Sequence, residues 1–119
     1  MDRVFIEGLG IEAVIGVHDW ERTAPQPLVV DIAMAVDAGL LARSDAVDDT
    51  VDYAAVAAAV ETLAGQSRHQ LIETFAEEIA GMVLGRFGSK VAQVTVCIRK
   101  PRAIPAARNA GVEITRARA

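Results

Sequence analysis

Lys100 stands where the alternating run Val91 to Ile98 gives out, between Arg99 and Pro101. Proline cannot extend a central strand, so the lysine closes the run and aims an ammonium group past the rim of a sheet. Binding and catalytic groups concentrate at such rims and in the loops beyond them. The other groups able to do chemistry are scattered: Glu21 in a polar loop, Tyr53, and the carboxylates Glu73, Glu77 and Glu78 on one helical stretch. Glu73 and Glu77 share a face at i,i+4, and acidic residues in a helix's first turns are favoured by the macrodipole whether or not they bind anything.

Several chemistries find no support. Gly8-Leu9-Gly10 lacks the third glycine and the following helix of a dinucleotide loop. His18 and His69 are the only histidines, far apart and without cysteine or paired carboxylate at ligand spacing, so no metal site is expected. His18 reads as a turn residue and His69 as a surface residue near a helix start. Ser44, Ser67 and Ser89 lie in polar connectors outside any nucleophile-elbow pattern. Cys97 is the single cysteine and falls in a predicted strand, which reads as a buried, inert thiol suited to a reducing cytoplasm.

The elements that must position these groups follow from periodicity. Apolar residues at Val4 and Ile6, then at Ile11, Ala13, Ile15 and Val17, change parity across Gly8-Leu9-Gly10, which predicts one long strand from about Arg3 to Val17 bent by a β-bulge. Leu28, Val30, Ile32, Met34 and Val36 alternate without a break and predict a second strand, reached through the loop His18 to Gln26. A polar connector holding Ser44, Asp45, Asp48 and Asp49 leads to a helix with Asp52 as N-cap, Tyr53, Val56, Val60 and Leu63 at helical spacing, and Gly65 as its stop. A second helix carries Ile72, Phe75, Ala76, Ile79, Val83 and Phe87 on one face and stops at Gly88. A strand from Lys90 to Arg99, a loop from Lys100 to Ala110 and a strand from Gly111 to about Arg116 close the chain. The order β-β-α-α-β-β predicts an α+β fold, with a four-stranded antiparallel sheet and two antiparallel helices packed on one face. Apolar residues at both parities, such as Val29 and Val30, predict cover for the second face from other subunits.

The 119 residues fit one domain spanning 1–119, and 52% of them are hydrophobic, rich for so small a unit and consistent with subunit contacts. A net charge of −4 with scattered basic residues argues against nucleic acid as a partner. No run approaches the roughly 20 apolar residues that cross a bilayer, and Met1-Asp2-Arg3 does not open a signal peptide. A soluble, cytoplasmic protein without membrane association is expected.

Five segments taken together are similar to one family. Ile15-Gly16-Val17-His18-Asp19-Trp20-Glu21, Thr50-Val51-Asp52-Tyr53-Ala54, Leu71-Ile72-Glu73, Arg99-Lys100-Pro101 and Ala110-Gly111-Val112-Glu113-Ile114 resemble dihydroneopterin aldolase, in order, at matching spacing and over nearly the whole chain. The resemblance implies the tunnelling fold, in which sheets of neighbouring subunits join into a barrel and two tetramer rings stack into a homo-octamer, with active sites between adjacent subunits. It implies a folate-pathway enzyme that converts the pterin 7,8-dihydroneopterin into 6-hydroxymethyl-7,8-dihydropterin and glycolaldehyde, with neither metal nor organic cofactor and with C2′ epimerisation as a companion activity. Glu73 is then the pterin anchor, accepting the ring's amino group and N–H together. Leu71, Ile72, Asp52 and Val51 join it in binding the substrate. Lys100 is a general acid/base that forms no Schiff base, because the substrate's ring imine serves as electron sink. Arg99 or Arg102 nearby would help bring its pKa toward neutrality. Tyr53 is the proton-guiding tyrosine from the neighbouring subunit, and Glu21 holds the lysine and a water near the substrate.

Two other readings fit parts of the pattern. A dihydroneopterin triphosphate 2′-epimerase on the same scaffold would use Arg102 and Arg108 on the phosphates. A non-catalytic pterin-binding or scaffold module would have no use for Lys100 and Tyr53 together.

Overall fold

The computed structural model describes residues 2–118. Strands β1 (Asp2–Ala13), β2 (Gln26–Val36), β3 (Gln93–Lys100) and β4 (Ala110–Ala117) form one sheet in that order, every neighbouring pair antiparallel. The helices are α1 (Ala38–Ser44), α2 (Tyr53–Gln66) and α3 (Ile72–Arg86), with single 3-10 turns at Asp19–Arg22 and Val47–Asp49. The sheet is open, so β1 and β4 are its edges. None of the described helices is long and apolar enough to cross a membrane.

Alternation does in the structure what it predicts in the sequence. Leu28, Val30, Ile32 and Met34 of β2 and Val94, Val96 and Ile98 of β3 are each at most 1% exposed and face the helices. Val56, Val60 and Ala64 of α2 and Phe75, Ala76, Ile79 and Val83 of α3 meet them, α2 lying against β1 and α3 against β3 and β4. Burying each larger side chain of this set stabilises the fold by about 1.5–3 kcal/mol relative to exposure. The sheet's second face is mixed: Phe5 is exposed, Ala33 and Cys97 are half-buried, Thr95 and Thr115 share a hydroxyl bond of 2.9 Å, and Arg99 pairs with Asp31.

The bulge falls where the parity change predicts it, between Ile6 and Leu9. Gly8 takes φ +72°, a conformation glycine adopts without steric cost, and its N–H donates to Asp31 Oδ1 at 2.7 Å. Arg99 holds the other oxygen of Asp31, so bulge, β2 and β3 are tied on that face. Burial pushes the Asp31 carboxyl upward, but the Gly8 N–H and Arg99 together bring it below its usual value.

Four expectations need correction. The first strand ends its pairing at Ala13, and residues 14–18 leave the sheet to build the site. The polar connector contains α1, started by Asp37, whose side chain accepts from Leu40 N, and ended by Asp45 at φ 48°; none of its residues is buried, so it leaves no apolar stripe. Gly65 does not stop α2, which runs through it to Gln66, with the buried Ser67 as its C-cap. Cys97 is half-buried on the sheet's second face, and that burial raises its thiol pKa.

Candidate active site

Lys100 occupies the last position of β3 on the parity of Val94, Val96 and Ile98, so its side chain continues the helix-facing surface just beyond the apolar core. There its Nζ donates to Glu21 Oε2 at 2.5 Å. Glu21 is brought from 79 positions earlier by the Asp19–Arg22 turn and is only 3% exposed. A carboxylate that buried needs partners. Gln26 Nε2 donates to Oε2 at 2.9 Å and to the Ile15 carbonyl at 2.7 Å, while His18 N–H donates to Oε1 at 3.2 Å. The carboxylate rests against Gly16, whose φ is +124° and whose missing Cβ leaves the space it fills.

Burial alone would push the Glu21 carboxyl up, yet the hydrogen bonds from Lys100, Gln26 and the His18 N–H, with the charge of Lys100, bring it down from 4.5 to about 2. Glu21 is therefore a carboxylate at neutral pH, facing the Lys100 Nζ. A group depressed in the folded state stabilises above its unfolded pKa and loses that contribution as pH falls through the folded one. Denaturant unfolding at fixed protein concentration should therefore lose on the order of 3 kcal/mol from this pair between about pH 4.5 and pH 2. Glu21→Gln should show a correspondingly shallower acid limb, and an unchanged limb would contradict the assignment.

The pair lines a cleft of about 330 Å³ whose remaining lining includes Leu71, Ile72 and Glu73 at the start of α3. Glu73 lies exposed in the first turn, where main-chain N–H groups also remain free to bind. His18 and Trp20 stack at 5.9 Å beside the opening. The arrangement offers a lysine and a carboxylate at one end and a bidentate acceptor with amides at the other, suited to a flat heterocycle bearing a polar side chain. Among the described residues no three His, Cys, Asp or Glu groups stand together as metal ligands.

The structure thus brings Glu21, Lys100, Leu71, Ile72 and Glu73 into one cleft and leaves the other three sequence candidates outside it. Tyr53 is 60% exposed, Asp52 Oδ1 caps α2 through Ala55 N at 3.1 Å, and Val51 is buried in the core. Arg99, expected beside Lys100, turns to the opposite face and is held by Asp31. Gly16 and Gln26 carry no prediction, although Gln26 had a signal: it shares the inward parity of Leu28 and Val30, where a polar residue must find a buried partner.

The family model described as FolB: Dihydroneopterin aldolase matches residues 4–115. The dihydroneopterin aldolase of Escherichia coli K12 is 45% identical over 98% of this chain and 93% of its own. Among solved structures, the putative dihydroneopterin aldolase of Vibrio cholerae superposes with a TM-score of 0.93 at 44% identity, covering 99% of this chain and 98% of that one. The Escherichia coli enzyme in complex with neopterin superposes with a TM-score of 0.90 at 44% identity, covering 98% of this chain and 99% of that one. These matches favour the aldolase over the triphosphate epimerase. The chain belongs to the dihydroneopterin aldolase family.

Proposed function

We propose that this dihydroneopterin aldolase of folate biosynthesis works through Lys100 and Glu21 as its proton-carrying pair and Glu73 as its pterin anchor. The observation that carries the reading is the Glu21–Lys100 contact of 2.5 Å within the cleft that Leu71 to Glu73 also line. The carboxylate of Glu73 takes the pterin's amino group and ring N–H, with main-chain groups at Leu71 and Ile72 beside it. The side chain of 7,8-dihydroneopterin then reaches the other end.

The proton of the 2′-hydroxyl leaves to the Lys100 amine or to a water it holds. The C1′–C2′ bond breaks as the oxygen's electrons form the carbonyl of glycolaldehyde, and the bond's electron pair moves into the ring imine. The resulting enamine takes the proton back at C1′, giving 6-hydroxymethyl-7,8-dihydropterin. The proton lent is returned, so the pair ends the cycle as it began. Glu21, kept ionised, holds Lys100 in place throughout. Because the ring imine is the sink, no Schiff base is needed, and borohydride added during turnover should trap no protein adduct.

Tyr53 enters this scheme from a neighbouring subunit, with Asp52 and Val51 shaping the approach. Its exposure and the two open sheet edges support an assembly in which sheets join into a barrel. The proposed assembly is two stacked tetramer rings working in the cytoplasm. Incubation with 7,8-dihydroneopterin, followed by chromatography, should yield both products. Mixing Lys100→Ala subunits with Tyr53→Phe subunits, each deficient alone, should restore part of the activity. Products from the unmodified protein but no recovery on mixing would place both residues in one chain's site.

A further inference from the structure

The two ends of the cleft are joined by one side chain that does not line it. Arg22 Nη1 donates to the carbonyls of Gly16 at 3.1 Å and His69 at 2.9 Å, and Nη2 donates to the carbonyl of Arg68 at 2.5 Å. Among the described residues no carboxylate lies within ion-pair distance of this half-buried guanidinium, so its bonding goes to main chain. Gly16 is the residue on which the Glu21 carboxylate rests. Arg68 and His69 belong to the link that leaves α2 and runs directly into Leu71-Ile72-Glu73. Among the described residues the only other side-chain tie between these segments is the longer bond from Ser67 Oγ to the Val14 carbonyl, 3.4 Å.

A guanidinium is planar and presents its donors at fixed angles, so three acceptors bound to it are fixed relative to one another; a lysine ammonium, a compact point charge, imposes no such geometry.

We propose that Arg22 is a positioning residue of the aldolase, setting the separation between the Glu21–Lys100 pair and the pterin-binding edge so that ring and reacting side chain reach their groups together. The proposal rests on the assignment of Glu73 as pterin anchor.

The test compares Arg22→Met, Arg22→Lys, Glu73→Gln and the Arg22→Met/Glu73→Gln double variant, each confirmed to keep its assembly state, by neopterin titration and by kcat and KM well below the unfolding temperature. Arg22→Met should lower kcat/KM by about 10- to 100-fold, the scale on which small misplacements act. Arg22→Lys, which keeps charge and most of the stem, should recover little. The affinity loss from Arg22→Met should shrink below about twofold when Glu73 is already glutamine, because an absent anchor cannot be misplaced. An equal affinity loss in both backgrounds, accompanied by a lowered melting temperature, would mean a merely structural role and overturn the proposal. So would Arg22 variants within twofold of the unmodified protein. If Glu73→Gln alone left neopterin affinity intact, the anchor assignment would fall; the kcat of Arg22→Lys would then decide, a loss upholding control of the catalytic end and no loss overturning it.

Discussion

Lys100→Met is expected to lower kcat by about 10²- to 10⁴-fold, the range that a positioned acid/base contributes, while pterin affinity stays within a few-fold. The separation of effects follows from the two ends of the cleft. In the proposed mechanism Glu73 and the first-turn amides hold the ring, and Lys100, which lines the same cleft, acts on the substrate's side chain. Glu73→Ala should therefore show the reverse order, losing affinity before turnover. The methionine variant has a second consequence. Glu21 remains 3% exposed with only Gln26 and the His18 N–H as partners, and removing one member of a buried pair strands the other. Its carboxyl pKa should rise from about 2, so the variant should gain a less steep acid limb together with its loss of turnover. Single-turnover kinetics with neopterin titration would check the division of roles, and denaturant unfolding against pH the acid limb; parallel losses of affinity and turnover in each variant would dissolve the division.

The parts of this site that the sequence discloses are those written locally. The parity change at Gly8, the alternation of β2, the Asp52 cap and the apolar face of α3 each need only neighbours a few residues away, and each stands in the structure where periodicity places it. Local reading fails where the deciding contact is distant or where an element buries nothing. α1 is set by its cap at Asp37 and leaves no stripe, so polar residues around it read as a loop. Gly65 reads as a stop, yet the helix ends one residue later, where the Ser67 side chain turns inward to the Val14 carbonyl. The meeting of Glu21 with Lys100 spans 79 positions, and no spacing rule links them. It enters through the family resemblance. That resemblance supplies the names of the reacting groups but not the supports beneath them: Gly16 and Arg22 show their roles only in the folded geometry, and Gln26 is signalled in the sequence only by its inward parity.

Gly16 is where that geometry is least forgiving, and Gly16→Ala is the second variant expected to act strongly. A Cβ at this position would overlap the carboxyl carbon and both oxygens of Glu21, and the backbone at φ +124° is one that side-chain-bearing residues rarely adopt. Backbone strain of this kind costs about 1–3 kcal/mol, and eviction of the carboxylate adds loss of the bonds from Lys100, Gln26 and His18. The variant should be destabilised by roughly 3–5 kcal/mol and should lose most of its turnover, since Lys100 no longer has its fixed partner. The two contributions can be separated. In a Glu21→Ala background the overlapping atoms are gone, so adding Gly16→Ala should cost only the strain, about 1–3 kcal/mol, and the cycle should show a coupling of about 2 kcal/mol. Activity should recover in neither. Denaturant unfolding of the four proteins at one concentration measures the coupling directly. Equal costs in the two backgrounds would show that the Glu21 carboxylate does not sit on Gly16, and with that the arrangement that holds Lys100 at the cleft would have to be redrawn.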